Sequence, residues 1–180
     1  MIMILLSTLL AALPQSPAGN PTALLEIAAQ KGVRQLATGL ENTFIYAFTR
    51  GGQRRQSLVL TPGATFETSI LPVDSPGCVS LMAGMPFNLG DGATLKIELW
   101  DETRRQSAVE VALDPAHVRA HRAWVPVRLN IPAGRNRVRV RFEVTAGIRG
   151  DQTADWVGIA AGAEPGCLLA DRPGDAPRIP

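Results

Sequence analysis

The feature of this sequence that most constrains its fold is the alternation of apolar and charged residues in the segment NRVRVRFEV, residues 136 to 144. Apolar side chains occupy every second position, and arginine or glutamate fills the positions between them: Val138, Val140, Phe142 and Val144 alternate with Arg137, Arg139, Arg141 and Glu143. Successive side chains of a β-strand point to opposite faces, so this pattern predicts a strand that is buried on one face and solvated on the other. We therefore interpret the arginines as the wet face of a sheet. A site for an anionic glycan or lipid is the alternative.

The same period of two recurs along the chain, and turn residues separate the segments. The segments are TFIYAFTR, RRQSLVL, ATFETSIL, CVSLMAGMPF, TLKIELWD, SAVEVALD, WVPVRLNI, DWVGIAA and CLLA. About eight to ten short strands without alternating helices predict a mainly β fold, an antiparallel β-sandwich. Acidic residues of neighbouring segments, such as Glu98 and Glu110, could pair with these arginines across a sheet.

The chain begins with a predicted export signal, residues 1–18. Its apolar run MIMILLSTLLAAL is too short to span a bilayer comfortably as a helix, and Ser16 and Ala18 suit the positions before a cleavage site. No basic residue precedes the run, which leaves an uncleaved anchor or an incorrectly assigned start as alternatives. Removal of the signal would leave no segment able to span a membrane.

The rest of the chain divides into three predicted parts, a helical lead-in at 19–42, a β-sandwich domain at 43–170 and a disordered tail at 171–180. The lead-in contains one short N-terminal helix, in which Asn20 can act as the N-cap and Gly32 can end the helix. The tail is rich in proline and charge, which disfavours a packed structure.

Two cysteines lie in the predicted domain, Cys78 and Cys167. In an oxidising compartment such an isolated pair predicts a disulfide, and two buried free thiols are the alternative. Export and a disulfide together indicate an extracytoplasmic protein, periplasmic or secreted. The formal charge of +2 and the pI near 8.8 are far from the concentrated positive field that binds phosphate, so nucleic acid is not an expected partner.

Catalytic patterns are weak in this sequence. His117 and His121, with Asp114 nearby, have the residue types of a divalent-metal site, but no HExxH motif accompanies them. The chain has no GxSxG elbow and no phosphate-binding glycine loop. Acidic residues that could form a glycosidase pair, Glu98, Asp101, Glu102 and Glu110, fall on outward strand positions and turns. We therefore predict no catalytic residue, no metal and no cofactor.

The few aromatic residues offer a binding chemistry instead. Trp100 falls on the polar phase of TLKIELW, and Trp156 follows Asp155. An exposed indole can stack on the C–H face of a sugar, with side chains such as Arg139 supplying hydrogen bonds. Trp100, Trp156, Asp155 and Arg139 are thus the predicted ligand contacts. Trp124 opens a strand and is expected to fill one end of the sandwich core.

The last part of the chain, from about Gly77 to Ala170, resembles the jelly-roll modules of the galactose-binding-like and glycosidase-associated carbohydrate-binding class. The resemblance lies in a glycine-rich turn, a tryptophan that opens a strand, an Ala-Gly turn and a closing strand, and these features fall on Trp124, Leu129, Ala133, Gly134 and Trp156. It implies a jelly-roll-like sandwich and a non-catalytic extracytoplasmic domain found beside enzymes that act on polysaccharides.

Three functions follow from these observations. The first is an exported, non-catalytic accessory module that binds carbohydrate. The second is an envelope structural or assembly protein that binds another protein. The third and weaker alternative is a small metal-dependent hydrolase that uses His117, His121 and Asp114.

Overall fold

The computed structural model describes residues 24–25, 42–73, 77–150 and 153–170. Ten strands and one 3-10 helix η1 follow one another in this part of the chain: β1 (Thr43–Arg50), β2 (Gln53–Leu60), β3 (Thr65–Glu67), β4 (Leu71–Pro72), β5 (Cys78–Gly84), β6 (Ala93–Trp100), β7 (Arg105–Leu113), η1 (Arg119–Arg122), β8 (Val125–Asn130), β9 (Arg137–Ala146) and β10 (Val157–Ala161). None of the helical segments among these residues has the length and apolar character to cross a membrane.

The strands form two antiparallel sheets, which confirms the predicted β-sandwich. The first sheet has the order β1-β2-β10-β5-β8, and the second has the order β3-β9-β6-β7, with β4 pairing with β9. The predicted signal peptide and the C-terminal tail lie outside the described residues. So does the lead-in helix except for Leu24 and Leu25, which have helical backbone, and Leu24 is buried in the core.

The main core lies between the two sheets and is built from the alternation seen in the sequence. On β9 the side chains of Val138, Val140, Phe142 and Val144 are fully buried, and the arginines between them point away from the core. Leu95, Ile97 and Leu99 on β6 face the same interior. The interpretation of the arginine segment as a strand with one wet face is confirmed.

A second, smaller cluster lies on the opposite face of the first sheet. It contains Phe44, Phe48, Val59, Trp124 and Ala160, and Met82 and Trp156 pack against it. These positions alternate with the residues of β2, β5 and β10 that fill the main core, so they belong to the outer face. The expectation that Trp124 fills the end of the main core is therefore wrong.

The tip of the β1–β2 hairpin covers this second cluster. β2 pairs with β10 only from Leu58 to Leu60, and beyond that point the tip reaches the start of β8 on the far side of the sheet. There the Gly51 amide donates to the carbonyl of Arg122 at 3.1 Å, and Trp124 Nε1 donates to the carbonyl of Gln53 at 2.9 Å. The hairpin thus crosses the outer face of the first sheet.

The segment ATFETSIL was predicted as one strand, but it forms two short ones, β3 and β4. Glu67 is opposite Arg141 and Leu71 is opposite Val138. The segment from β3 to β4 therefore has one more residue than β9 between these two pairs. Thr68 occupies the interruption, where its amide donates to the Val140 carbonyl and its hydroxyl accepts from the Val140 amide. The side chain thus replaces a backbone partner, which ends the regular ladder.

The segment CLLA was predicted as a strand, but it makes only isolated bridges, one to β5 and one to the residue after β10. Leu168 is bridged to Val79, and Ala170 to Gly162. Leu169 has a φ of 62°, a left-handed conformation that no regular strand contains. A disulfide between Cys78 and Cys167 joins this segment to the start of β5, as the sequence predicted.

Candidate functional site

One end of the outer face of the second sheet combines an indole with charged side chains. Trp100 ends β6 and is half-buried, and its strand neighbours in register are Arg139 on β9 and Arg105 on β7. The indole is therefore flanked by a guanidinium-bearing residue on each side in the same row of the sheet. Two of the predicted contacts, Trp100 and Arg139, are brought together here.

An irregularity in the strand pairing shapes this end of the sheet. Leu99 is opposite Ser107 but Trp100 is opposite Arg105, so Gln106 is an extra residue on β7. The amide group of Gln106 donates to Asp101 Oδ2 at 2.7 Å instead of lying in the regular row. Such bulges redirect side chains at sheet ends, and this one places Arg105 beside the indole.

Glu98 fixes the orientation of the indole. It is 5% exposed, although it lies on the outer face of the sheet, and its Oε2 accepts a hydrogen bond from Trp100 Nε1 at 3.0 Å. Its Oε1 accepts from Lys96 Nζ at 2.9 Å and from Arg105 Nη1 at 3.2 Å. One carboxylate thus holds the tryptophan and two basic side chains in place.

The pKa of Glu98 reflects these contacts. Burial of the carboxylate by itself raises the pKa, but hydrogen bonds from Lys96, Trp100 and Arg105 and the charge of Lys96 lower it to about 2. The carboxylate is therefore ionised at neutral pH and acts only as a hydrogen-bond acceptor.

Arg139 joins three parts of the molecule at this end of the sheet. Its Nη1 donates to Glu67 Oε1 on β3 at 2.9 Å, and its Nη2 donates to the carbonyl of Glu102 at 2.8 Å. Glu67 was not among the acidic residues expected to pair with the arginines of β9. Glu98, which was, instead pairs with Lys96 and Arg105. Lys96 Nζ also lies 4.0 Å from Glu143 Oε2 on β9.

A shallow depression of about 310 Å³ lies between the β6–β7 and β8–β9 turns, and its lining includes Asp101, the residue after Trp100. Its lining is Asp101, Glu102, Thr103, Gly134, Arg135, Asn136 and Arg137. Asp101 and Arg135 form an ion pair at 3.0 Å across it. Hydrogen bonds from the backbone amides of Arg104 and Thr103 and the charge of Arg135 lower the pKa of Asp101. The depression is thus lined by charged and polar groups of both signs.

The other predicted contacts, Trp156 and Asp155, lie on the first sheet and are separate from Trp100. Trp156 is half-buried and makes edge-to-face contacts with Phe44 and Phe87, whose ring centroids are 5.2 and 5.6 Å away. The Asp155 side chain is fully buried, and its Oδ2 accepts a hydrogen bond from the Gly147 amide at 3.2 Å. Asp155 thus holds the chain after β9 against the start of β10.

Three features of the Trp100 site were not predicted from the sequence. Glu98 was recognised as an outward residue but not as the group that holds the indole, although its spacing of two from Trp100 on one strand places both on one face. Arg105 could not be predicted as a neighbour of Trp100, because the bulge at Gln106 has no pattern in the sequence. Arg135 belongs to a turn that only the fold brings close to Asp101.

The histidines do not form a common metal site with Asp114. His117 Nδ1 contacts Asp114 Oδ1 at 3.0 Å, whereas His121 Nδ1 accepts a hydrogen bond from the Asp114 backbone amide at 2.9 Å. Among the described residues, the only group of three metal-ligating side chains is Cys78, Glu164 and Cys167, and its cysteines are joined by the disulfide. This geometry does not favour the metal-dependent hydrolase.

No protein-family model matches the chain, and no curated protein matches it. Several solved structures are similar to it. The module TmCBM61, solved in complex with β-1,4-galactotriose, is 13% identical, with 67% of this chain and 79% of that chain covered and a TM-score of 0.44. The carbohydrate-binding module CBM6cm-2 from Cellvibrio mixtus lichenase 5A, in complex with cellotriose, is 14% identical, with 66% and 86% covered and a TM-score of 0.32.

The enzymatically active domain of bacteriophage CBA120 tailspike protein 4 is also similar, at 14% identity and a TM-score of 0.38. That likeness covers 68% of this chain but only 17% of the tailspike chain. Two of these three structures are carbohydrate-binding modules.

Proposed function

We propose that this protein is an exported, non-catalytic accessory module that binds carbohydrate at the Trp100 end of the second sheet. The observation that carries the proposal is the indole of Trp100, which Glu98 holds on the outer face of the sheet between Arg105 and Arg139. An aromatic ring fixed in this way is available at little cost in side-chain entropy.

The chemistry of the surroundings suits a saccharide. The C–H face of a pyranose stacks on an indole, while its hydroxyls require hydrogen-bond donors and acceptors at the edge of the ring. The depression beside Trp100 supplies both kinds of group, since Asn136 and Thr103 can donate and accept, and Arg137 can donate. Its volume of about 310 Å³ is at the small end of the range for ligand sites.

The carboxylates near Trp100 support binding in preference to hydrolysis. A glycosidase needs one carboxyl group that is protonated near neutral pH and can act as general acid. Glu98, with a pKa of about 2, and Asp101, with a lowered pKa, are both ionised in that range. Their hydrogen bonds to neighbouring side chains fit a role in holding the site.

The disulfide supports the export part of the proposal. Cys78 and Cys167 form a disulfide. Disulfides persist in oxidising compartments and are rare in proteins of the reducing cytoplasm. Export itself rests on the predicted signal at residues 1–18, which intact mass and N-terminal sequencing of the protein recovered from the periplasm or medium would test.

The binding proposal is tested with the full chain expressed for export and purified in its mature form. Binding to a panel of immobilised plant and bacterial polysaccharides is measured by affinity electrophoresis and by tryptophan fluorescence. We expect at least one polysaccharide to bind, and Trp100→Ala to reduce the affinity by about tenfold or more while the far-UV circular dichroism is unchanged.

Trp156→Ala serves as the matched variant, because Trp156 is the second predicted tryptophan contact and packs against the cluster on the first sheet. Loss of binding in Trp156→Ala alone would move the site to the first sheet and leave the carbohydrate proposal standing. Absence of binding to every polysaccharide at millimolar concentration would refute it.

A second candidate function is binding to an envelope protein, and one observation favours it. The loop after β5 exposes two large apolar side chains, Phe87 at 39% and Leu89 at 68%. A photo-crosslinking residue at position 89 should then give a discrete protein adduct in the cell envelope, whereas the same residue at the exposed Thr49 should not. No adduct at position 89 would remove this candidate.

A further inference from the structure

We infer that the Trp100 site selects anionic saccharides, those with carboxylate or sulfate groups, over neutral ones. This inference rests on the proposed function and adds the class of ligand to it. It is carried by the distribution of charge on the outer face of the second sheet and by the arginines there that have no acidic partner.

The two ends of this face differ in their balance of charge. Around Trp100, basic side chains outnumber acidic ones, with Arg104, Arg105, Arg135, Arg137, Arg139 and Arg141 against Glu67, Glu98, Asp101 and Glu102. At the other end, the row of Thr94, Ala112 and Thr145 carries no charge, and the row beside it, Lys96, Glu110 and Glu143, has more acid than base. A polyanion is therefore drawn toward the tryptophan end of the face.

The acidic groups near Trp100 are mostly occupied by other basic residues. Glu67 pairs with Arg139, Asp101 pairs with Arg135, and Glu98 pairs with Lys96 and Arg105. Within the described part of the chain, Arg104, Arg137 and Arg141 take part in none of the ion pairs. These three guanidinium groups retain their capacity to bind an anion.

Arg137 and Arg141 flank Arg139 on the same face of β9. Arg137 is exposed and lines the depression, while Arg141 lies in register between Glu67 and Glu98, whose carboxylates are held by other residues. Arg141 is half-buried, and its Nε has no hydrogen-bond partner although it is shielded from solvent.

Stacking and charge pairing can act on one sugar ring at the same time. A uronate or sulfated pyranose places its anionic group at the edge of the ring, so a ring stacked on Trp100 directs that group toward a neighbouring strand. Guanidinium groups bind carboxylate and sulfate through two parallel hydrogen bonds, which are stronger than hydrogen bonds to a neutral hydroxyl. The anionic group therefore adds affinity that a neutral sugar lacks.

The test compares the purified full-length mature protein on polygalacturonate, on a sulfated glycan such as chondroitin sulfate, and on neutral β-1,4-galactan and β-glucan. Affinities are measured at 50 and 300 mM salt. The variants are Arg137→Gln with Arg141→Gln, and Arg54→Gln with Arg119→Gln as the control. The control removes the same charge from two exposed arginines outside the second sheet.

We expect at least one anionic glycan to bind about tenfold more tightly than the neutral ones, and the Arg137/Arg141 variant to lose that preference. The control variant should keep it. Binding of the carboxylated glycan alone or of the sulfated one alone would identify the anion, and binding of both would support the shared chemistry.

Three results would overturn the inference. Equal affinity for neutral and anionic glycans, with loss in Trp100→Ala, would leave the proposed function intact and remove the anionic preference. Equal loss in the control variant would indicate attraction by net charge alone. Absence of binding to all glycans would contradict both the inference and the proposed function.

Discussion

Gly84 and Gly158 lie directly opposite each other where β5 pairs with β10, and an aromatic ring packs against the outer side of each. A Cβ at Gly84 would lie 3.0 Å from Cε3 of Trp124, and a Cβ at Gly158 would overlap the ring of Phe48. The two rings pack together, with centroids 4.6 Å apart. Because the two glycines have no side chains, the rings of the second cluster can pack directly against the sheet at these positions.

Gly158→Ala should destabilise the protein because the methyl group has no space beneath Phe48. Overpacking of this kind costs about 1 to 3 kcal/mol, and Gly84→Ala should cost less because its contact with Trp124 is less severe. The measurement is the free energy of unfolding in urea for both variants. A Gly158→Ala protein as stable as the wild type would show that Phe48 can move away from the sheet.

The fold was largely predictable because strands such as β6 and β9 are wet on one face. Alternation located β6 and β9 and the side chains that each one buries, and Gly and Pro located many of the turns. The second cluster was not predictable in the same way, because the first sheet is covered on both faces. There Leu58, Val59 and Leu60 are consecutive and all buried, so the period of two disappears.

Prediction of the candidate site was less complete. Trp100 and Arg139 were both expected on outward positions, and the register of β6 with β9 makes them neighbours. Trp156 was grouped with them, but it lies on the other sheet, and pairing between strands distant in sequence determines that separation. No local pattern indicates which strands pair.

The disulfide should contribute strongly to stability. It links residues 89 positions apart, and in the chain-entropy model closure of such a loop stabilises the folded state by about 4.6 kcal/mol. Cys78→Ser with Cys167→Ser should therefore lower the melting temperature markedly, and reduction should do the same to the wild type. Intact mass under non-reducing conditions should be two hydrogens below the thiol form. Two alkylatable thiols in freshly exported protein would contradict the bond.

Glu98 predicts a particular loss of stability in acid. Its pKa is about 2 in the folded protein, against an ordinary value of 4.5, so the unfolded chain binds a proton first as the pH falls. The contribution of the ionised Glu98 carboxylate to the free energy of unfolding is complete above about pH 5. It disappears as the pH falls from there to about 2. Urea unfolding of the wild type and of Glu98→Gln at pH 6, 4 and 3 should show a stability difference that shrinks with decreasing pH.

Glu110→Gln provides the control for that series, since it removes an exposed glutamate on the neighbouring strand. Its stability relative to the wild type should change much less with pH. Glu98→Gln should also alter the tryptophan emission spectrum, because the charged partner of the Trp100 indole is lost. A constant stability difference across the pH range would show that the Glu98 carboxylate does not titrate as described.

Arg50 should be required for the docking of the hairpin tip onto the first sheet. It is 6% exposed, its Nε donates to the Met85 carbonyl, and its Nη1 donates to Oδ1 of Asn88. Desolvation lowers the pKa of Arg50. Its two hydrogen bonds join the end of β1 to the loop after β5. A lysine cannot make both hydrogen bonds with the same geometry, so Arg50→Lys should weaken this connection.

The local readout for Arg50→Lys is hydrogen exchange of the Gly51 amide, which donates to the Arg122 carbonyl. We expect exchange at Gly51 to accelerate by about tenfold or more, while the amides of β6 and β9 keep their protection, because opening of the tip leaves the main core closed. Arg54→Lys, an exposed change in the same hairpin, should leave the Gly51 amide unaffected. Equal protection in both variants would mean that Trp124 and its hydrogen bond to Gln53 hold the tip without Arg50.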